Sequence, residues 1–324
     1  MNLQPVLVAP DSFKGTFSAP EVAAAIARGL RDGGRDAVEL PIADGGEGTM
    51  DALVAALGGE SRTATVGDPL GRPVEARYAL VNDGRTAVIE MAEASGLRLV
   101  PEDERDAWAA STYGTGQLIA AATADGGARE VVVAVGGSAT TDGGAGALEA
   151  LEGVDVPAIT VVCDVRTPWE RAAAVYGPQK GADPEGVTAL ERRLDELAAK
   201  APRDPRGVPM TGCAGGLSGG LWAWRGAKLV PGAAYVLDAV GFDAAMRAAR
   251  FVVTGEGKLD AQTLEGKACA EVATRARQGG VACHAVVGRN DLDDFRSRVL
   301  DFGLVIEASD AAGLRAAGRS LAAI

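Results

Sequence analysis

The chain has 324 residues, of which 47% are hydrophobic and 4% aromatic, with 44 glycines and a formal net charge of −12. This length predicts two domains, with one large domain as the alternative, and the composition favours an α/β protein over a β-sandwich. The acidic balance argues against a nucleic-acid partner, because such proteins normally carry a basic face.

The cysteines and the apolar runs indicate the compartment. The four cysteines form no CxxC pair, which is typical of reduced and mostly buried thiols. No apolar run of about 18 residues and no signal peptide occur, so we expect a cytoplasmic protein without a membrane span. The single histidine, His284, leaves acid–base chemistry mainly to carboxylates and lysines.

The first elements follow a strand–loop–helix order. PVLVAP predicts a buried strand, and DSFKGTFS leads to a helix over about 19–31. Ser18 and Glu21 at its start have the spacing of a capping box. AVELPIA and MDALVAALGG then predict a second strand and a second helix, and this alternation is typical of a parallel sheet.

The middle of the chain breaks the alternation. SRTATVG, VEARYALV and RTAVIEMA follow one another without a helix, which predicts an antiparallel segment. Alternation returns later and continues through the tail from RFVVTG. We therefore expect two α/β domains with a cleft between them. These are a discontinuous Rossmann-like parallel-sheet domain over 1–60 and 250–324, and an inserted mixed-sheet domain over 61–249.

Four loops at predicted strand ends carry polar groups. Ligands of an open α/β sheet bind beyond the carboxyl ends of its strands, so we expect these loops to converge. The first loop, DSFKG, offers Ser12 for substrate binding and Lys14 for catalysis. A lysine can hold a carboxylate or a transferring phosphoryl group, and a solvated turn lysine is the alternative.

The second loop is ADGGEGT. Asp44 is a candidate general base or magnesium ligand, and the alternative is a helix cap. The loop glycines let the backbone approach a ligand closely, so we expect substrate contacts at Gly45, Gly46 and Glu47.

The third loop, in VVVAVGGSATTDGGAG, has the composition of a phosphate-binding loop. Glycine N–H groups, hydroxyls and a helix start all favour an anion, whereas a simple tight turn does not explain the run of hydroxyls. The predicted nucleotide contacts are Gly136, Gly137, Ser138, Thr140 and Thr141. Asp142 would then hold a magnesium ion that bridges the phosphates.

The fourth loop is TGEGKLDAQTLEGKA. Its glycines and cations favour a phosphorylated ligand, with Gly255, Gly257 and Lys258 as nucleotide contacts and Asp260 as a catalytic carboxylate. No Walker A or protein-kinase motif occurs anywhere in the chain.

Two further residues are open to more than one interpretation. Asp164 is a second candidate metal ligand, and a cap or turn former is its alternative. The role of Lys180, in YGPQKGAD, is left open by the sequence. The chemistry that such loops suit is phosphoryl transfer, which needs positioning, charge neutralisation and a base.

Six motifs carry a family resemblance. APDSFKGTFSA, PIADGGEGT, GGSATTDGGAGAL, YGPQKGA, AGGLSGG and VTGEGKLDAQTLEGKA occur in this order between Pro10 and about Ala270. Together they resemble the bacterial glycerate kinase type I family. The resemblance implies an ATP- and Mg²⁺-dependent kinase that converts D-glycerate to 2-phosphoglycerate. It leaves a homodimer open.

Some positions depart from the family pattern. Thr141 stands where the family usually has asparagine, and VRTPWERAA follows Asp164 in place of an Asn-Pro-Leu-like turn. Two alternatives therefore stay open: a kinase of a different glycerate-like hydroxy acid, and an inactive nucleotide-binding homologue. A nicotinamide-dependent dehydrogenase is disfavoured, because no GxGxxG follows the first strand.

Overall fold

The computed structural model of the protein describes residues 4–13, 15–124 and 127–324. The helices in this part of the chain are α1 (Ala19–Asp32), α2 (Thr49–Leu57), α3 (Ala92–Ser95), α4 (Tyr113–Ala124), α5 (Ala145–Ala150), α6 (Ala172–Tyr176), α7 (Pro184–Lys200), α8 (Leu217–Arg225), α9 (Gly232–Ala239), α10 (Phe242–Ala248), α11 (Ala268–Gly279), α12 (Asp294–Leu300) and α13 (Ala311–Leu321). The strands are β1 (Val6–Val8), β2 (Ala37–Glu39), β3 (Gly59–Gly67), β4 (Pro73–Val81), β5 (Thr86–Glu90), β6 (Glu130–Ala134), β7 (Ala158–Cys163), β8 (Lys228–Pro231), β9 (Val252–Thr254), β10 (Lys258–Leu259), β11 (Cys283–Val287), β12 (Arg289–Asn290) and β13 (Val305–Glu307). Short 3₁₀ helices include Pro178–Lys180 and Ala261–Glu265.

The chain forms two compact units. The first combines the two chain ends, up to Asp44 and from Ala233 onward, and the second spans Gly45–Gly232. In the first unit, β13, β11, β9, β1 and β2 form one parallel sheet in that order. Numbered along the unit, the order is 2-1-3-4-5, a doubly wound arrangement whose switch point lies between β1 and β9.

Helices cover both faces of this sheet. On one face, α1 and α13 pack with Val8 and Val253 in a common core. Their crossing is close, because a Cβ added at Gly29 would lie 2.0 Å from the carbonyl oxygen of Arg315. Residues of α9, α10 and α11 form the other core with Leu7 and Val252.

The second unit is built on a six-stranded mixed sheet in the order β3–β4–β5–β6–β7–β8. β3, β4 and β5 pair antiparallel, as the helix-free segment predicts, and β5 to β8 pair parallel. A parallel sheet and a mixed sheet, each with helices, confirm the predicted α/β fold class.

The limits of the units differ from the predicted domain limits at 60/61 and 249/250. The start of α2 is bonded to the second unit, since the N–H of Met50 donates to Oε1 of Glu90 at 2.8 Å. Leu237 and Phe242, predicted in the inserted domain, pack in the core of the first unit. Both limits are set by tertiary packing, which local sequence patterns do not show.

The capping box predicted near the amino end is present. The carboxylate of Glu21 accepts hydrogen bonds of 2.8 Å from the N–H and from the hydroxyl of Ser18 at the start of α1. Cys163, Cys213, Cys269 and Cys283 are buried free thiols, as predicted. Among the described residues, no helix is both long enough and apolar enough to cross a bilayer.

Candidate active site

A polar cavity of about 450 Å³ lies at the carboxyl ends of the strands in the first unit. All five strands of the sheet lead into it, and the segments that follow them contribute Asp11 and Ser12, Asp44, Glu256, Arg289 and Ser309. The loops after β1 and β9 meet there on either side of the switch point, which is where ligands of doubly wound sheets bind. The first, second and fourth predicted loops therefore each place residues in one cavity.

The cavity combines cations with carboxylates. Among the described residues, its cations are Lys258, Lys267 and Arg289, and its carboxylates are Asp11, Asp44, Glu256 and Asp260. Lys258 and Arg289 are neighbours because β10 and β12 pair in parallel at these two positions. Such a set can hold an anionic ligand and also remove a proton from it.

Glu256, which the sequence interpretation missed, is a buried carboxylate of this cavity. Its side chain is 8% exposed. Burial raises the pKa of Glu256 to about 7, against the opposing effects of Thr263 and Lys267. Thr263 Oγ1 donates to Oε1 at 2.7 Å, and Lys267 Nζ lies 3.9 Å from Oε2. An acidic residue between two glycines at a strand end was the available signal.

Backbone hydrogen bonds fix the loop that carries Glu256. The N–H of Gly288 donates to the carbonyl oxygen of Glu256, and that of Arg289 to Gly257, both at 3.1 Å. A Cβ at Gly255 would lie 2.1 Å from the carbonyl oxygen of Val286. Gly255 therefore permits close packing of the β9 and β11 ends, while Gly257 lines the cavity.

Ser12 has a buried hydroxyl without a hydrogen-bond partner among the described residues. Its N–H donates to Oδ1 of Asp11 at 2.6 Å. A buried hydroxyl without a partner is uncommon and fits contact with a ligand. Lys14, predicted nearby as a catalytic residue, lies outside the described residues.

Asp260 is engaged in holding its own loop. Its Oδ1 accepts from the N–H of Gln262 at 2.9 Å and so caps the 3₁₀ helix that follows. Lys258 Nζ lies 3.2 Å from Asp260 and 3.2 Å from Asp291. Both predicted residues line the cavity, with Lys258 held between two carboxylates.

In the second unit, the glycines of two predicted loops meet. The N–H of Gly136 donates to the carbonyl oxygen of Gly45 at 3.2 Å. A Cβ at Gly136 would lie 2.5 Å from the Cα of Gly46, so only glycine permits this approach. Glu47 is exposed.

Lys180 fixes the hydroxyl-rich part of the third loop. The residue is 2% exposed, and its Nζ donates to Oγ of Ser138 and to the carbonyl oxygen of Thr140. Burial lowers the pKa of Lys180 to about 7, which nearby Asp142 and Asp164 oppose. A second cavity, of about 90 Å³, is lined by Gly137, Ser138, Asp164, Tyr176 and Lys180 among others.

Asp142 occupies the helix start that the sequence assigned to phosphate. It is 1% exposed, and Oδ2 accepts from the N–H and hydroxyl of Thr112 at 2.9 and 2.8 Å. The N–H groups of Gly144 and Gly146, at the start of α5, donate to it at 3.1 and 3.2 Å. The anion stabilised by this helix start is therefore the chain's own carboxylate. The hydroxyls of Thr140 and Thr141 are buried without a partner in the described part of the chain.

The two predicted metal ligands, Asp142 and Asp164, have different surroundings. Asp142 is committed to Thr112 and to the start of α5, whereas Asp164 lines the second cavity. Within the described residues, no group of three or more histidine, cysteine, aspartate or glutamate side chains is placed to hold a metal ion. A magnesium role for either aspartate stays a prediction.

The sequence relationships agree with the six motifs. The model of the glycerate kinase family matches residues 6–156 and 152–312. The chain belongs to the glycerate kinase family. The predicted resemblance is thereby confirmed.

Several members of this family are close in sequence or structure. A glycerate kinase of Halalkalibacterium halodurans is 40% identical, over 87% of this chain and 85% of its own length. A glycerate 2-kinase of Escherichia coli is 38% identical, over 84% and 82%. A crystal structure described as glycerate kinase 2 of Salmonella typhimurium superposes with a TM-score of 0.83 at 35% identity, covering 99% of this chain and 98% of that one.

Proposed function

We propose that this protein transfers the terminal phosphoryl group of ATP to a hydroxyl of D-glycerate and forms 2-phosphoglycerate. Membership of the glycerate kinase family carries the proposal. The cavity of the first unit supports it independently, because its charged groups match a reaction between anions that also requires a base.

The cations of the cavity would neutralise the substrates. Lys258, Lys267 and Arg289 line it, so they can bind the glycerate carboxylate or phosphate oxygens and reduce the repulsion between the two reactants. The orphaned hydroxyl of Ser12 offers a hydrogen bond to the acceptor. We assign Lys14, Asp44 and Asp260 to the same reaction, and Gly45, Gly46 and Glu47 to substrate contacts.

The nucleotide contacts are proposed at two loops. The Gly136–Thr141 loop is held by Lys180, and the Gly255–Lys258 loop is held by the β11 end. Rigid loops of this kind lower the entropy cost of positioning a phosphate chain. Magnesium would enter with the nucleotide, since Mg²⁺ in kinases is bound largely through substrate phosphates.

Incubation of the purified protein with ATP, Mg²⁺ and D-glycerate tests the function. We expect ADP and a phosphoglycerate whose ³¹P signal is a doublet, since position 2 carries one proton, whereas 3-phosphoglycerate gives a triplet. The Asp44→Asn variant should lose most of the rate. No ADP above the blank without acceptor would reject the proposal.

A further inference from the structure

Three of the carboxylates that line the cavity, Asp260, Asp11 and Glu256, differ in what they already bind. Asp260 caps a 3₁₀ helix and pairs with Lys258. Asp11 accepts the N–H of Ser12. Glu256 stands on the loop after β9, at the switch point, with its backbone fixed by Gly288.

The two carboxylate oxygens of Glu256 have different surroundings. Oε1 accepts a hydrogen bond from the hydroxyl of Thr263, which in turn accepts the N–H of Asp260 at 3.1 Å. Oε2 has Lys267 Nζ at 3.9 Å, which is beyond hydrogen-bond length. Oε1 is therefore held by the protein, while Oε2 accepts no hydrogen bond from the described residues, and Glu256 lines the cavity.

Burial raises the pKa of Glu256 to about 7, and the charged groups around it act in both directions. Lys267 favours the carboxylate form, and Asp44 and Asp260 favour the neutral form. The thiol of Cys269 is also near, and burial keeps the pKa of that thiol well above its ordinary value. Burial of the Glu256 carboxyl outweighs the favourable contacts, so the group is a stronger base than an exposed glutamate.

We infer that Glu256 is the general base of the proposed kinase reaction, with Thr263 as its positioning residue. Oε2 takes the proton of the acceptor hydroxyl as the new oxygen–phosphorus bond forms. The bond between the transferred phosphorus and the ADP oxygen breaks, and its electron pair leaves on ADP. Glu256, now a carboxylic acid, returns the proton to water after product release. The inference rests on the proposed function.

Replacement of the base tests the assignment. In Glu256→Gln we expect kcat with D-glycerate to fall about 100-fold or more, while KM for ATP changes little, because the amide keeps the shape but accepts no proton. Glu271→Gln is the matched control, since Glu271 pairs with Arg275 on α11 and is not among the residues lining the cavity. The control should keep wild-type activity.

The pH profile separates a base from a structural residue. Thr263→Val removes the hydrogen bond that favours the carboxylate, so the pKa of Glu256 should rise and the acid limb of kcat should move up by about one pH unit. Thr263→Ser keeps the hydroxyl and should keep the wild-type limb. If wild type is active and Glu256→Gln keeps kcat within about threefold, the assignment of Glu256 as the base is wrong, but the proposed function is unaffected. A wild type that forms no ADP overturns the proposed function, and the assignment with it.

Discussion

The buried amino group of Lys180 donates a hydrogen bond of 2.6 Å to the carbonyl oxygen of Thr140. A second bond of 2.8 Å reaches Oγ of Ser138. Through these bonds, the proposed nucleotide loop depends on a residue 40 positions further along the chain. Because burial lowers the pKa of Lys180 to about 7, the loop is also linked to pH.

The stability of Lys180→Met relative to wild type should therefore depend on pH. The folded pKa is depressed, so the contribution of Lys180 is fully present above the unfolded pKa of about 10.4 and is lost as pH falls towards about 7. The wild-type advantage in the free energy of unfolding should shrink from pH 10 to pH 7, by urea denaturation. Exposed Lys200→Met is the control. A pH-independent difference contradicts the prediction.

Replacing Asp142 should reduce the stability of the protein even in the absence of magnesium. In Asp142→Asn, one carboxylate oxygen becomes an NH₂ group that faces the N–H donors of Thr112 or of the α5 start. We expect a loss of about 3 kcal/mol in the free energy of unfolding, measured without magnesium. Unchanged stability together with lost magnesium dependence of activity would instead support the predicted metal role.

Local signals of the sequence predicted local structure well. The capping box joins Ser18 to Glu21, three positions further along the chain, and the loop predicted after the first strand directly follows β1. Thr112 lies 30 residues from Asp142, and Thr140 lies 40 residues from Lys180, so spacing could not reveal these two contacts. The structure thus shows that Asp142 anchors its loop, while its magnesium role stays a prediction.

Helix α8 shows a second limit of structure prediction from the sequence. It lies in a glycine-rich run, where helix propensity is low. Its glycines serve packing, since a Cβ at Gly219 would lie 2.5 Å from the carbonyl oxygen of Thr211, and one at Gly220 would lie 2.3 Å from that of Gly143. Tertiary packing overrides propensity there, and a single sequence does not show which contacts require it.

Glu90 should lower the free energy of unfolding at alkaline pH. It is buried and accepts the N–H of Met50 at the start of α2, and burial raises its pKa from an ordinary 4.5 to about 7. A raised folded pKa gives a contribution that is present below about 4.5 and lost as pH rises through about 7. The free energy of unfolding of Glu90→Gln should therefore rise relative to that of wild type, by about 3 kcal/mol between pH 4.5 and pH 8.

Urea unfolding of both proteins across this pH range measures the difference. Subtraction removes the contribution of Glu256, which titrates in the same range in both proteins. A difference that stays constant with pH would show that Glu90 does not titrate there.

Asp260 should prove to be a positioning residue in the proposed kinase. It caps the helix over Ala261–Glu265 and lies 3.2 Å from Lys258, while its N–H donates to Thr263. Asparagine also caps helices, so Asp260→Asn should keep the fold and lose at most about tenfold in kcat. Asp260→Ala loses the cap and should cost about 1 kcal/mol in the free energy of unfolding. A loss of kcat in Asp260→Asn as large as in Glu256→Gln would contradict this prediction, because it would give both carboxylates equal weight in the reaction.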